Sequence, residues 1–191
     1  MFAAYATDGT ARVEVDYGDQ GLARNDAVAH STGRYIAMLD GDDLWQRNWL
    51  VLAWQFIDQN GDDRLSRSSR VQLFFEGQAN YFRQIDQDSP DFDIDVLRLR
   101  NYWDALSMCH RGIHETFPYA KRDIRAGWAH EDWQWNVSTI ANGIRHKIVP
   151  NTVVFKRRQK ASQNIRASYN KSRIRRSELA SYSHPLYKNF Q

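Results

Sequence analysis

Residues 33–45 read GRYIAMLDGDDLW. The apolar run at 35–39 is too short for a helix and suits a buried strand. It leads straight into Asp40-Gly41-Asp42-Asp43, a turn carrying three carboxylates. In open α/β sheets, ligands bind beyond the carboxyl ends of the strands. Carboxylates gathered there repel one another until a cation neutralises them. A hard divalent cation does so with oxygen ligands while keeping ligand phosphates in its shell. The chemistry this pattern points to is the holding of a diphosphate and its stabilisation as it leaves. The competing reading is a solvated turn, because Asp and Gly are common turn formers.

Upstream of this stretch, residues 20–31 predict a helix, with Leu22, Ala23, Ala27 and Val28 near one face, Asp19 as N-cap and Gly33 as stop. Residues 12–16 (RVEVD) alternate like a short strand. Downstream, 47–59 predicts a second helix, with Trp49, Leu50, Ala53, Trp54 and Ile57 at helical spacing and Asn60-Gly61 at its end. Strand, helix, strand, acidic turn, helix is the order of an α/β domain with a parallel sheet. Further on, strands are expected at 71–75, 79–85, 106–110 and 153–157, and a helix at 130–142 followed by Gly143. Residues 86–95 read as an acidic solvated loop, and 164–179 as an amphipathic basic helix or a solvated tail.

The chain has 191 residues, 42% apolar and 13% aromatic, enough for one domain with a core. Cys109 is the single cysteine, which excludes an internal disulfide and a cysteine-framed metal site and fits a reducing compartment. No run approaches the roughly 18 apolar residues of a membrane span. The first residues lack the pattern of a signal peptide, so the expected location is cytoplasmic. The net charge of +3 hides an asymmetry, since residues 156–176 carry no acid and a run of Lys and Arg. Such an arm suits phosphates, anionic lipid or nucleic acid. It interleaves few aromatics and comes with no nucleic-acid motif, so no specific nucleic-acid partner is expected.

Residues 18–50 resemble the central segment of family 2 glycosyltransferases. The matching features are Gly21, Ala23-Arg24-Asn25, Gly33-Arg34-Tyr35-Ile36, the Leu39-Asp40-Gly41-Asp42-Asp43 turn and the aromatic Trp45. A second segment, residues 127–133 (GWAHEDW) followed by a helix and Gly143, is similar to the family's acceptor-side segment, which carries a Glu-Asp pair. The resemblance implies a GT-A-like, mixed but mainly parallel sheet flanked by helices. It implies Mg²⁺ or Mn²⁺ as cofactor, held by Asp42 and Asp43, with Asp40 supporting the turn. It places Arg24 near the nucleotide base, and Arg157 and Arg158 at the donor diphosphate. Asp132, beside Glu131, becomes the general base of an inverting transfer, and Trp128 and Trp133 line an acceptor groove. Read without the resemblance, Glu131 and Asp132 complement the dipole of a helix start, and Arg157 and Arg158 form a solvated basic edge.

The implied donor is a nucleotide-diphosphate sugar, the implied acceptor a glycan or lipid-linked saccharide. A basic C-terminal segment suits peripheral contact with the inner face of a membrane. The expected organisation is a partial glycosyltransferase domain over 1–162 and a basic helix or tail over 163–191. Nothing in residues 1–11 resembles the family's first strand-helix-strand unit, so weak or absent activity of this chain alone is expected. The alternative function is that of a catalytically impaired remnant binding a glycan or a protein.

Overall fold

The computed structural model describes residues 9–77, 79–158, 171–177 and 179. Helix α1 spans Gln20–His30. Asp19 caps it as expected, one carboxylate oxygen accepting the Leu22 N–H at 3.1 Å and the other the Arg122 N–H at 2.8 Å. The helix stops at Ser31 rather than Gly33, because the Ser31 N–H and hydroxyl both turn back to the Val28 carbonyl. Strand β1 (Tyr35–Ala37) follows, then the acidic turn and β2 (Leu44–Trp45). Helix α2 covers Trp49–Asn60 and ends on Gly61 in the left-handed region, φ 59°, which glycine adopts without a side-chain clash. Residues 12–16 are not a strand; Val13 and Val15 are each 40% exposed.

The remaining elements are β3 (Leu65–Phe75), β4 (Asn80–Arg83), α3 (Ile94–Leu97), β5 (Ser107–His110), α4 (Arg111–Thr116), α5 (Glu131–Ala141) and β6 (Arg145–Arg157). The sheet runs β1-β5-β3-β6-β2, with β4 also paired to β3. It is mixed, as expected. Its balance is not the expected mainly parallel one. Among the described strands β3–β6 is the parallel pair, and β1–β5, β3–β5, β3–β4 and β2–β6 are antiparallel. A parallel pair needs a long crossover, which the segment ending in α5 supplies between β3 and β6, whereas the short return from β3 to β4 gives an antiparallel pair.

Helices cover both faces of this sheet, and the alternation of β1 and β5 shows how. Ile36, Met38 and Cys109 point to a core shared with Val28 of α1 and Trp135 of α5. Tyr35, Ala37 and Met108 point to the other face, where Trp49, Ala53 and Ile57 of α2 pack. Trp45 stacks on Trp49 with centroids 4.5 Å apart, pinning the exit of the acidic turn onto α2. Such a pair contributes about 0.5–1.5 kcal/mol beyond its buried area. A third cluster joins Leu97, Trp103, Val137 and Ile140 with Leu179, which is fully buried.

Part of the segment expected as a basic helix or tail therefore packs on the body. Arg173 exchanges backbone hydrogen bonds with Gly127 and Ala129 at 2.8 and 3.1 Å, and Ile174 joins the α5 cluster. The rest of that expected element, 163–170, 178 and 180–191, lies outside the described residues. The loop expected to be solvated at 86–95 is also tied down. Asp86 and Asp88 pair with Lys147, and the Ile148 N–H donates to Asp86 at 3.0 Å.

Candidate functional site

The acidic turn closes on itself when the Asp43 N–H donates to the Asp40 carbonyl at 3.1 Å. Its carboxylates have different surroundings. Asp43 is turned inward and 6% exposed. One of its oxygens accepts the Arg157 backbone N–H at 2.9 Å, and the other lies 3.3 Å from Lys156 Nζ. Burial pushes its pKa up, and Lys156 and the Arg157 N–H pull it partly back. Asp40 accepts from Arg24 Nη2 at 2.7 Å. Asp42 is half-buried at the apex of the turn.

Two buried cations tie this turn to the elements around α5. Arg24, on α1, gives one nitrogen to Asp40 and the other to Glu131 Oε1 at 2.9 Å. Burial opposes its charge, but Asp40 and Glu131 outweigh it and hold the guanidinium firmly protonated. Lys156, on β6, sits between Asp43 and Asp104, 2.9 Å from the latter. Here too burial is overcome by the two carboxylates and the pKa is raised. A third cation, Arg122, reaches Asp19 and Glu131 at 3.5 and 3.9 Å. Glu131 is thus an ion-pair anchor, 8% exposed, and it packs closely on Gly21, where an added Cβ would lie 3.1 Å from Tyr119 Cβ and 3.2 Å from Glu131 Cγ.

Asp132 is less well compensated. Glu131 beside it and, more weakly, Asp104 add negative charge, and the adjoining Trp133 N–H at 2.8 Å and the charge of Arg24 oppose them only in part. Burial, then Glu131, raise its pKa to about 7. The helix start opposes this shift by favouring negative charge, and it loses. His130, just before the helix, adopts the left-handed region at φ 65°. Asp132, Asp104, His130, Trp103, Trp133 and Gln72 line a cleft of about 300 Å³.

The structure brings Arg24, Asp40, Asp43, Glu131 and, through Lys156 and Asp104, Asp132 into one connected array. Trp133 lies in the cleft, its indole N–H donating to the Leu97 carbonyl at 2.7 Å. Trp128 does not line that cleft; it pairs by backbone with Asp123 and Arg173 and faces a separate small pocket beside Arg175. Arg157 meets the turn through its backbone N–H, while its guanidinium lies 3.3 Å from Glu76 and over the Phe75 ring. Arg158 lies over Phe74, 4.3 Å from the ring centre. Lys156, Asp104, His130 and Trp103 were not singled out individually by sequence reasoning. Asp104 and Trp103 fall where no periodicity marks an element, and only the basic run at 155–158 hinted at Lys156.

Among the described residues no group of three or more His, Cys, Asp or Glu side chains is arranged to hold a metal ion. Asp43 is engaged by Lys156 and Arg157, and Asp40 by Arg24. A divalent cation that takes one or two carboxylates, and otherwise phosphates and water, would draw on the carboxylates of this turn. No helix among the described residues is long and apolar enough to cross a membrane.

The sequence model described as Glycosyl transferase family 2 matches residues 11–115, which include the turn but not α5 or β6. No curated protein sequence matches the chain significantly. Among solved structures, residues 1–349 of S. aureus TarS in complex with UDP-GlcNAc are similar at a TM-score of 0.56 and 15% identity, over 80% of this chain and 42% of that one. The same fragment with UDP is similar at 0.51 and 16%, over 78% and 43%. At such identities the likeness concerns the fold, and the chain spans less than half the length of those structures.

Proposed function

The chain belongs to glycosyl transferase family 2, and on that premise we propose that it moves a sugar from a nucleotide-diphosphate sugar to a hydroxyl of a glycan or lipid-linked saccharide, with inversion. One observation carries this reading. Lys156 spans Asp43 of the acidic turn and Asp104 of the cleft that holds Asp132. A diphosphate-holding turn and a carboxylate able to take a proton near neutral pH are thereby parts of one array. The UDP-GlcNAc and UDP bound in the two TarS complexes support the donor class.

In this mechanism Asp132 accepts the proton of the acceptor hydroxyl as its oxygen attacks the anomeric carbon and the bond to the diphosphate breaks. A pKa near the working pH is what a general base requires. Glu131 acts through Arg24, fixing the start of α5 against the turn. Trp133 offers an apolar face to the acceptor. Asp42, together with donor phosphates, would hold Mg²⁺ or Mn²⁺, and Asp43 anchors the turn through Lys156 and the Arg157 N–H. Such a cation supplies charge neutralisation for the leaving diphosphate. Arg157 and Arg158 reach the donor by leaving Glu76 and Phe74, and Trp128 serves a more distant part of the acceptor.

Calorimetry with UDP and GDP, with and without Mn²⁺, tests the donor side. Metal-dependent binding that Asp42→Ala abolishes is expected. Binding of equal strength without metal, or in the Asp42→Ala variant, would refute the assignment of the turn.

A further inference from the structure

The cleft around Asp132 has two kinds of lining. Trp103, Trp133 and Tyr102 form the aromatic part, and their polar atoms are engaged elsewhere. The Trp103 indole N–H donates to the Ile85 carbonyl at 2.7 Å, the Trp133 indole to Leu97 at 2.7 Å, and the Tyr102 hydroxyl to the Asp93 carbonyl at 3.2 Å. Trp103 and Tyr102 are almost fully buried and back the cleft, while the half-buried Trp133 and the exposed Phe82 offer carbon surface to it. The polar part includes Gln72, only 6% exposed, together with Asp104 and Asp132.

The charge of this lining is one-sided. Among the described lining residues the carboxylates are Asp104 and Asp132, and neither lysine nor arginine is present. Lys156 reaches Asp104 from the sheet, but it is shared with Asp43, so the acids outnumber it. On the α5 side, Arg24 is taken up by Asp40 and Glu131.

Resting on the assignment of this cleft to the acceptor, we infer that it takes an uncharged saccharide ring and discriminates against one carrying a carboxylate or phosphate. The apolar face of a sugar ring fits the fixed aromatic surface. Its hydroxyls donate to carboxylates in charge-assisted hydrogen bonds. An anionic substituent meets Asp104 and Asp132 in a partly desolvated space, where like charges repel strongly. The volume, about 300 Å³, is at the small end for ligand sites, so a terminal ring or two fills it.

The test uses methyl β-D-glucopyranoside and methyl β-D-glucuronide, which differ by one carboxylate, titrated by saturation-transfer NMR against the whole chain at pH 8. The glucoside is expected to bind at least about tenfold tighter, as like-charge discrimination allows. Asp104→Asn narrows the gap by improving the glucuronide, and the wild-type comparison stands alone if that variant does not fold. Equal or tighter binding of the glucuronide overturns the inference. Saturation of neither sugar overturns it too. Mn²⁺-dependent UDP binding that persists in that case leaves the donor reading intact; its absence removes both.

Discussion

Asp43 and Asp132 are the same residue in two kinds of burial. Each is largely withdrawn from water, and burial pushes each pKa upward. Asp43 meets Lys156 and a backbone N–H, which offset that cost and fix it in place. Asp132 meets Glu131 and Asp104, which outweigh the help of Arg24 and the Trp133 N–H, so the cost of burial stays with it and its pKa rises to about 7. The difference teaches that where burial is the main cost for both, the charge of the partners decides how much of it is offset, and so helps to divide a structural carboxylate from a proton acceptor.

The largest effect is expected from Asp132→Asn, which keeps the shape and removes the base. Sugar transfer should fall by about 10²–10⁴-fold, the usual worth of a general base, while UDP affinity holds. Retained transfer would show that Asp132 is not the proton acceptor.

Next, Lys156→Met leaves Asp43 and Asp104 buried without their cation. Breaking such an arrangement costs about 3–5 kcal/mol, readable from urea unfolding. A loss below about 1 kcal/mol, the range of exposed pairs, would mean that the turn is not held by this bridge.

The pH dependence sharpens the contrast. If Asp132 works as a base, transfer is low when it is protonated and rises with pH through about 7. Stability runs the other way. The folded state prefers protonated Asp132, so this contribution is fully present below the unfolded pKa near 4 and is lost as pH rises through about 7. Asp132→Asn should therefore raise Tm at pH 8 and leave it nearly unchanged at pH 4. A Tm gain of equal size at both values would assign the effect to packing rather than charge.

The smallest effect belongs to a surface pair. Arg145 contacts Asp88 with both side chains about half exposed. Arg145→Ala should change stability by about 0–1 kcal/mol, and that change should shrink in high salt. A larger loss would place this loop within the structural frame of the site.

Much of the donor side could be read from local pattern. The Asp19 cap, the two helices around the turn and the 35–39 strand follow from spacing and propensity alone. The strand at 12–16 did not form, although its alternation was regular, because alternation records a preference and pairing needs a neighbour. The reverse error was to overlook the starts of β3 and β6. Ser66, Arg67, Ser68 and Ser69 are all buried; two guanidinium nitrogens of Arg67 donate to the Leu65 and Asp62 carbonyls at 2.9 and 2.8 Å, while its Nε and the Ser66 and Ser69 hydroxyls find no partner among the described residues. Arg145-His146-Lys147 likewise looks like loop, yet pairs in parallel with β3. A polar stretch can lie at the centre of a sheet when distant strands pair its backbone, as β5 and β6 do for β3.

The sequence by itself determined the acidic turn, the Glu-Asp pair at the start of a helix and the α/β order that carries them. These are consequences of short-range spacing. Only the tertiary structure decided that Glu131 anchors Arg24, that Asp43 faces Lys156, and that Asp104 joins Asp132 in a cleft walled by Trp103. Those roles depend on contacts between residues far apart in the chain, 107 positions for Arg24 and Glu131, and on how far each charge is withdrawn from water. Chain spacing carries neither quantity, because both arise when the sheet closes and brings α1, the turn, α5 and β6 together.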